Sequence, residues 1–330
     1  MAKRNRRFWG LVNANRIYFV FIVVFVLLSL TAPKFFNTYN IGVILGTTML
    51  NGIVVIGFTI VLICGHLDLS TVAIMNLAGN LAIYIVQKTD SFMLAILIAG
   101  IAGLAVGVVN GLLVTKGKIN SFISTLGIST LIQGLVYFSN NAMTQAIKNY
   151  SATEFLDMKW IPFVPNRALL TIALVVIMYI FMSKTTIGKN FYIVGGNAES
   201  AWYAGLNPKA YLNAAFSING VFAALGGAIY ACYLAAALAN LGDKGISPLN
   251  TLIAASVLGG ASLTGGKGNI MHSYIGVLTL TTLYNGMSCF KLGFEMQLFI
   301  NGIVLIMVIM IEAISTYRHN KYAGAKADLF

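Results

Sequence analysis

Cys64-Gly65-His66-Leu67-Asp68-Leu69-Ser70 marks the seam between two apolar stretches, Phe35 to Leu67 and Leu69 to Gln87, neither of which carries a charged side chain. A helix crosses roughly 30 Å of hydrocarbon in about 20 residues. The seam therefore reads as the point where one spanning helix, Ile41 to Ile63, ends and another, Leu69 to Val86, begins. Asp68 or Ser70 caps the restart. An ionised carboxylate at mid-bilayer costs about 2.5 to 3.5 kcal/mol on insertion scales. Asp68 is thus expected at the interface or against a wet cavity, as a cap or as a group near a solute path.

The same pattern recurs along the whole chain. Charged residues make up 9% of the 330 positions and hydrophobic ones 58%, a ratio that a water-soluble domain could not cover. Ten charge-free stretches predict helices over about 17–32, 41–63, 69–86, 92–114, 120–140, 168–182, 211–237, 247–264, 270–289 and 296–315. Strands of a β-barrel would alternate every second residue over about ten positions, and these runs do not. The fold class is an all-α polytopic membrane protein, one transmembrane domain over residues 1–330. The Arg6-Arg7-Phe8 start lacks a small-x-small cleavage site before Pro33, so the first helix is read as retained.

A net charge of +12 could advertise nucleic acid, but the placement of the cations argues otherwise. With the N-terminus in the cytoplasm, fourteen fall inside: Lys3, Arg4, Arg6, Arg7, Arg16, Lys116, Lys118, Lys184, Lys189, Lys209, Lys267, Arg318, Lys321 and Lys326. Seven fall outside: Lys34, Lys88, Lys148, Lys159, Arg167, Lys244 and Lys291. This excess is the orientation signal of inserted helices and needs no nucleic acid to explain it. It places the N-terminal segment 1–16, the stretch 184–209 and the tail 316–330 in the cytoplasm.

Within 184–209 lies a polar island, Gly195-Gly196-Asn197-Ala198-Glu199-Ser200-Ala201-Trp202-Tyr203-Ala204-Gly205-Leu206-Asn207. It predicts a short helix: Asn197 is a good N-cap, Glu199 sits in the positive first turn and Gly205 supplies the stop. Gly103, Gly107 and Gly111 recur every four residues and put a groove on one helix face. Asn51, Asn76, Asn80, Asn110, Asn219, Asn285 and Asn301 lie inside predicted spans, where an amide needs a partner. They serve as helix-to-helix ties or, taken together, as a neutral hydrogen-bonding lining for a sugar.

Chemistry is not expected. Gly260 to Gly268 resembles a phosphate loop, but Ala261 breaks the register and no Ser or Thr follows Lys267. His66, His272 and His319 are isolated, and Cys64, Cys232 and Cys289 lack metal-ligand spacing. No catalytic, cofactor or metal residue is assigned.

Four ordered marks resemble the permease subunit of the ribose-type branch of ATP-binding-cassette importers over nearly the whole chain. They are Gly65-His66-Leu67-Asp68-Leu69-Ser70; Asn110-Gly111-Leu112-Leu113-Val114 with Thr125-Leu126-Gly127; Thr186-Ile187-Gly188-Lys189 with Gly195-Gly196-Asn197, Ala201, Gly205 and Asn207; and Ala254 to Leu263 with Gly265-Gly266-Lys267-Gly268, Asn285-Gly286 and Gly302. Three positions depart from that family's usual pattern. His66 stands for a glycine, and Trp202-Tyr203 stand for a basic residue and leucine.

The resemblance implies the type II importer fold, ten helices in which helices two to five and seven to ten form two inverted units. It implies a second permease chain, identical or a sister, facing this one. It also implies a separate ATPase gripping the 184–209 loop through Gly195, Gly196, Asn197, Glu199, Ala201, Trp202, Tyr203 and Gly205, and an extracellular binding protein that delivers the solute. The expected function is ATP-driven import of a neutral polar solute through the inner membrane by alternating access, a monosaccharide first. Path candidates are Asn51, Asp68, Asn76, Asn80, Asn110, Asn219 and Asn285. A nucleoside, an autoinducer-like furanose or a branched-chain amino acid remains open as solute. An ion-coupled secondary transporter would need buried relay charges, for which only Asp68 qualifies.

Overall fold

The computed structural model describes residues 16–147, 151–241 and 247–327. The expected N-terminal segment lies outside the described residues up to Asn15, as do Lys148, Lys244 and the last three positions. Five helices are long and apolar enough to cross a membrane among the described residues. They are α2 (Thr38–Ile63), α4 (Phe92–Thr115), α5 (Ser121–Asn140), α7 (Asn166–Lys184) and α10 (Pro208–Leu234). Around them lie α1 (Arg16–Thr31), α3 (Thr71–Thr89), α6 (Ser151–Asp157), α8 (Thr186–Gly196), α9 (Ala198–Tyr203), α11 (Pro248–Leu258), α12 (Ile270–Cys289) and α13 (Phe294–Ala327). The short strands β1 (Gln145–Ala146) and β2 (Ala236–Ala237) pair antiparallel.

Polar residues at the seams start these helices. Asn37, Ser91, Asn120, Asn207 and Asn269 each accept a hydrogen bond from a free N–H of the following first turn, in α2, α4, α5, α10 and α12. Pro208 occupies the first turn of α10, where no N–H is needed.

The central pair is α2 and α10, the two most enclosed of the five long apolar helices. The glycine groove of α4 faces α10. A Cβ on Gly103 would stand 2.3 Å from the Gly220 carbonyl, and one on Gly107 would stand 2.4 Å from that of Phe216. Only a residue without a side chain lets the two backbones meet so closely. Outside this core, α1 and α4 present large apolar side chains such as Phe19, Leu30, Leu97 and Ile101 to the surroundings, as a bilayer-embedded bundle does.

Several expectations shift. The helix expected over 247–264 is α11 alone, ending at Leu258. A Cβ on Gly259 would stand 2.6 Å from the backbone of His272, so α11 stops where it presses on α12. The last helix runs through Ala327, well past the expected 315. Helices α6 and α8 and the two-residue ladder carry no apolar-run signal, and the sequence reading left them out.

Candidate functional site

Thr185 both ends α7 and caps α8, its hydroxyl accepting from the Gly188 N–H at 3.0 Å. Helix α8 buries Phe191 and Val194 against the bundle. Phe191 meets the Tyr211 ring edge-on at 5.2 Å, and Asn190 Nδ2 donates to the Tyr211 hydroxyl at 2.7 Å. The chain then turns at Asn197, whose side chain accepts from the Ser200 N–H at 2.8 Å and opens α9. Gly205, at φ +82°, closes it. A side chain would be strained in that left-handed conformation.

The expected island helix is therefore present, with its cap and its stop. Ala201 is fully buried and anchors it, Glu199 is exposed in the first turn, and Trp202 and Tyr203 are 63% and 81% exposed. The short, anchored helix thus carries two exposed aromatics side by side.

Gly195 and Gly196 do something else. A Cβ on Gly195 would stand 1.8 Å from the Ile63 carbonyl oxygen at the end of α2. A Cβ on Gly265 would stand 2.5 Å from the Gly195 carbonyl and 2.8 Å from the Gly65 backbone, and one on Gly266 would stand 2.8 Å from Gly196 Cα. The Gly266 N–H donates to the Ile63 carbonyl at 2.8 Å. Three segments distant in sequence thus meet backbone to backbone: the end of α8, the end of α2 and the turn between α11 and α12.

Asp68 lies just beyond this junction and is fully buried. Its Oδ1 accepts from the Ser70 N–H at 2.9 Å and the Ser70 hydroxyl at 2.6 Å. Asn219 Nδ2 donates to Asp68 Oδ2 and to the Thr71 hydroxyl, both at 2.9 Å. Asn110 Nδ2 donates to the Ser70 hydroxyl at 2.7 Å, and Thr125 accepts from the Leu69 N–H at 3.0 Å. The Asp68 carboxyl group thus organises the first turn of α3 and binds the seam to α10 directly and to α4 through Ser70, while Leu69 ties it to α5. In so enclosed a site these bonds are electrostatically stronger than they would be in water.

The remaining path candidates sit elsewhere. Asn76 Nδ2 donates to Gln133 at 2.9 Å, and Asn76 accepts from the Leu241 N–H at 3.1 Å. Asn80 accepts from Asn140 at 2.9 Å and donates to the Leu238 carbonyl at 3.3 Å. Asn285 and Asn40 exchange both amide bonds, at 2.8 and 2.9 Å. Asn51 has a buried side-chain oxygen with no hydrogen-bond partner among the described residues. Asn301 accepts from the Tyr284 hydroxyl.

Residues 40–309 match the family described as the permease component of branched-chain amino acid transport systems. The chain belongs to that family. This permease is 34% identical over 295 residues to the ribose import permease protein RbsC of Bacillus subtilis, covering 89% of this chain and 90% of the relative. It is 33% identical over 323 residues to the L-arabinose ABC transporter permease protein AraH of Azospirillum brasilense, covering 96% and 92%. It is 28% identical over 308 residues to the D-allose transport system permease protein AlsC of Escherichia coli, covering 92% of each. No solved structure matches. The permease is accordingly a multi-pass membrane transport subunit and not an enzyme.

Sequence reasoning missed three parts of the permease's site. Helix α8 was signalled only by Thr185, three residues before Gly188, as a capping Thr. The Ile63 carbonyl, a backbone group, has no signal at all. A cavity of about 730 Å³ opens between Cys64 and His66 of the seam, the end of α4, α9 and the start of α10, with His66, Thr115, Glu199, Trp202 and Lys209 among its walls. Of the three residues that depart from the family pattern, His66 and Trp202 line it and Tyr203 does not.

Proposed function

We propose that this chain is the membrane permease of an ATP-driven, binding-protein-dependent importer of a neutral polar solute, with a monosaccharide as its cargo. The carrying observation is α9: a short helix with a built cap and stop, anchored by Ala201 and presenting Trp202 and Tyr203, within a chain of this permease family. An ATPase subunit grips the exposed face of α9, Glu199, Trp202 and Tyr203, which Asn197, Ala201 and Gly205 hold in shape and Gly195 and Gly196 seat on the bundle; a second permease chain completes the path, and an external binding protein delivers cargo. The three relatives named for ribose, arabinose and allose favour a sugar. The family description favours a branched-chain amino acid as the second reading. In this proposal residues 1–330 form one transmembrane unit, with 184–209 as its coupling loop.

The finer architecture in this proposal is ten spans in two inverted units, α2 to α5 and α10 to α13. Its support is the packing pattern: α3 packs on α4 and α5 as α11 packs on α12 and α13, and α2 packs on α10 and α12 as α10 packs on α2 and α4. An offset of five spans gives the units opposite directions across the membrane. In this proposal the end bearing Arg16, Lys116, Lys118, Lys184, Lys209 and Lys267 faces the cytoplasm, with both termini, in the inner membrane. Asn51, Asp68, Asn76, Asn80, Asn110, Asn219 and Asn285 stay candidates for polar groups in or behind the path.

The test is uptake by proteoliposomes holding the permease, its ATPase and the binding protein. Gly205→Val strains the αL stop of α9 without meeting a neighbour within 4 Å. It lowers ATP-driven uptake about tenfold, the effect of roughly 1.4 kcal/mol of strain, while membrane insertion stays intact. Wild-type uptake by this variant removes α9 from the mechanism. Uphill uptake by the permease alone on a proton or sodium gradient removes the ATPase.

A further inference from the structure

We infer that the seam from Ile63 to Ser70 is the transmission element between the ATPase-facing helix and the transmembrane bundle, with Gly195 and Asp68 as its two positioning residues. The inference rests on the reading of α9 as the ATPase-docking helix and goes beyond it by naming the route that motion takes inward.

The route is continuous in the structure. Helix α9 begins three residues after Gly195, and its cap residue, Asn197, follows Gly196 directly. Gly195 lies against the Ile63 carbonyl so closely that no side chain fits, and Gly265 and Gly266 close the same contact from the third side. A joint made of backbone has no rotamers to absorb a displacement, so a push on α9 reaches the end of α2 undamped. The same Ile63 carbonyl is held by the Gly266 N–H, which commits the start of α12 to the movement.

From Ile63 the chain reaches Asp68 in five residues. There the carboxylate ties the seam to α10 through Asn219 and, by way of Ser70, to α4 through Asn110, while Thr125 holds Leu69 to α5. Each bond in this relay is directional, and Asp68 is fully buried, so the group has no water to fall back on. The junction is the input of the device and the carboxylate its output, spread over three spanning helices. Asp68 is placed to bind helices together, whatever solute passes.

The test uses full-length permease with its ATPase and binding protein in proteoliposomes and reads solute moved per ATP hydrolysed. Gly195→Ala and, separately, Asp68→Asn keep the ATPase bound and hydrolysing, while solute per ATP falls at least about tenfold. A purely structural role would lower both together. A ratio within about twofold of wild type in either variant overturns the inference. So does loss of the ATPase from Gly195→Ala, since the junction would then serve docking alone.

A measurement that leaves both residues intact guards against a variant that fails to fold. Spin labels at Ala204→Cys and Lys267→Cys keep one separation between the nucleotide-free and ATP-bound states, whereas labels at Ala204→Cys and Tyr39→Cys change theirs. A shift within the first pair overturns the inference. Should the wild-type assembly show no ATP-driven uptake, the docking reading beneath it falls first, which is a different result from a wild-type ratio in the variants.

Discussion

The two ends of the bundle are fastened by opposite means. At the α8–α9 end, Gly195, Gly265 and Gly266 bring backbone against backbone around the Ile63 carbonyl. At the other end the ties are side chains. Arg167 is buried, pairs with Asp157 of α6, lies over the Tyr233 ring at 4.0 Å and reaches the Gly46 carbonyl at 3.4 Å. Asn40 and Asn285 clasp α2 to α12, and the two-residue pairing of β1 with β2 adds a backbone tie at this end. A glycine contact is stiff and cannot be rebuilt around an added atom, whereas a side-chain tie can loosen and re-form. The first suits transmission of force; the second suits holding a wall in place.

This contrast can be broken by experiment. The largest effect belongs to the junction: Gly265→Val, at φ +84° and facing the Gly195 carbonyl, lowers ATP-driven uptake about a hundredfold, or ~2.7 kcal/mol. Gly134→Val, with no neighbour within 4 Å of its Cβ, leaves uptake unchanged. Equal uptake in the two proteoliposome preparations would erase the distinction between the ends.

Arg167→Ala gives the intermediate effect, and on stability rather than transport. Loss of the ring contact, the packing and the partly exposed ion pair costs about 1 to 3 kcal/mol, read as a lower midpoint of thermal unfolding in detergent, with uptake per folded molecule retained. A fall in uptake per folded molecule comparable to that of Gly265→Val would place coupling at this end too. The smallest effect is that of Asn285→Ala, about 1 kcal/mol for one inter-helix amide pair, measured the same way. A larger loss than Arg167→Ala would make the Asn40–Asn285 clasp the main tie of that wall.

The spans and α9 were readable from the letters because their causes are local. Charge-free runs fixed α1, α2, α4, α5 and α12 to within a few residues, and Asn197 with Gly205 bounded α9 correctly. Helix α8 escaped because its apolar residues, Ile187 and Phe191 to Val194, are too few to make a spanning run. Asp68 was readable as a capping group but not as the centre of a network, since Asn219 and Asn110 approach it from helices far along the chain.

Composition and the spacing of charges, set by the cost of placing ions and free amides in hydrocarbon, determined by themselves that this chain is a helical membrane protein and where its helices turn. Which glycine faces which carbonyl was decided only by the packed bundle. Gly195 and Ile63 look like any glycine after a helix and any isoleucine within one, and their contact exists because α8 folds back across the end of α2. Local propensity acts within a turn or two of the chain, whereas close approach of two backbones is a property of how whole helices cross.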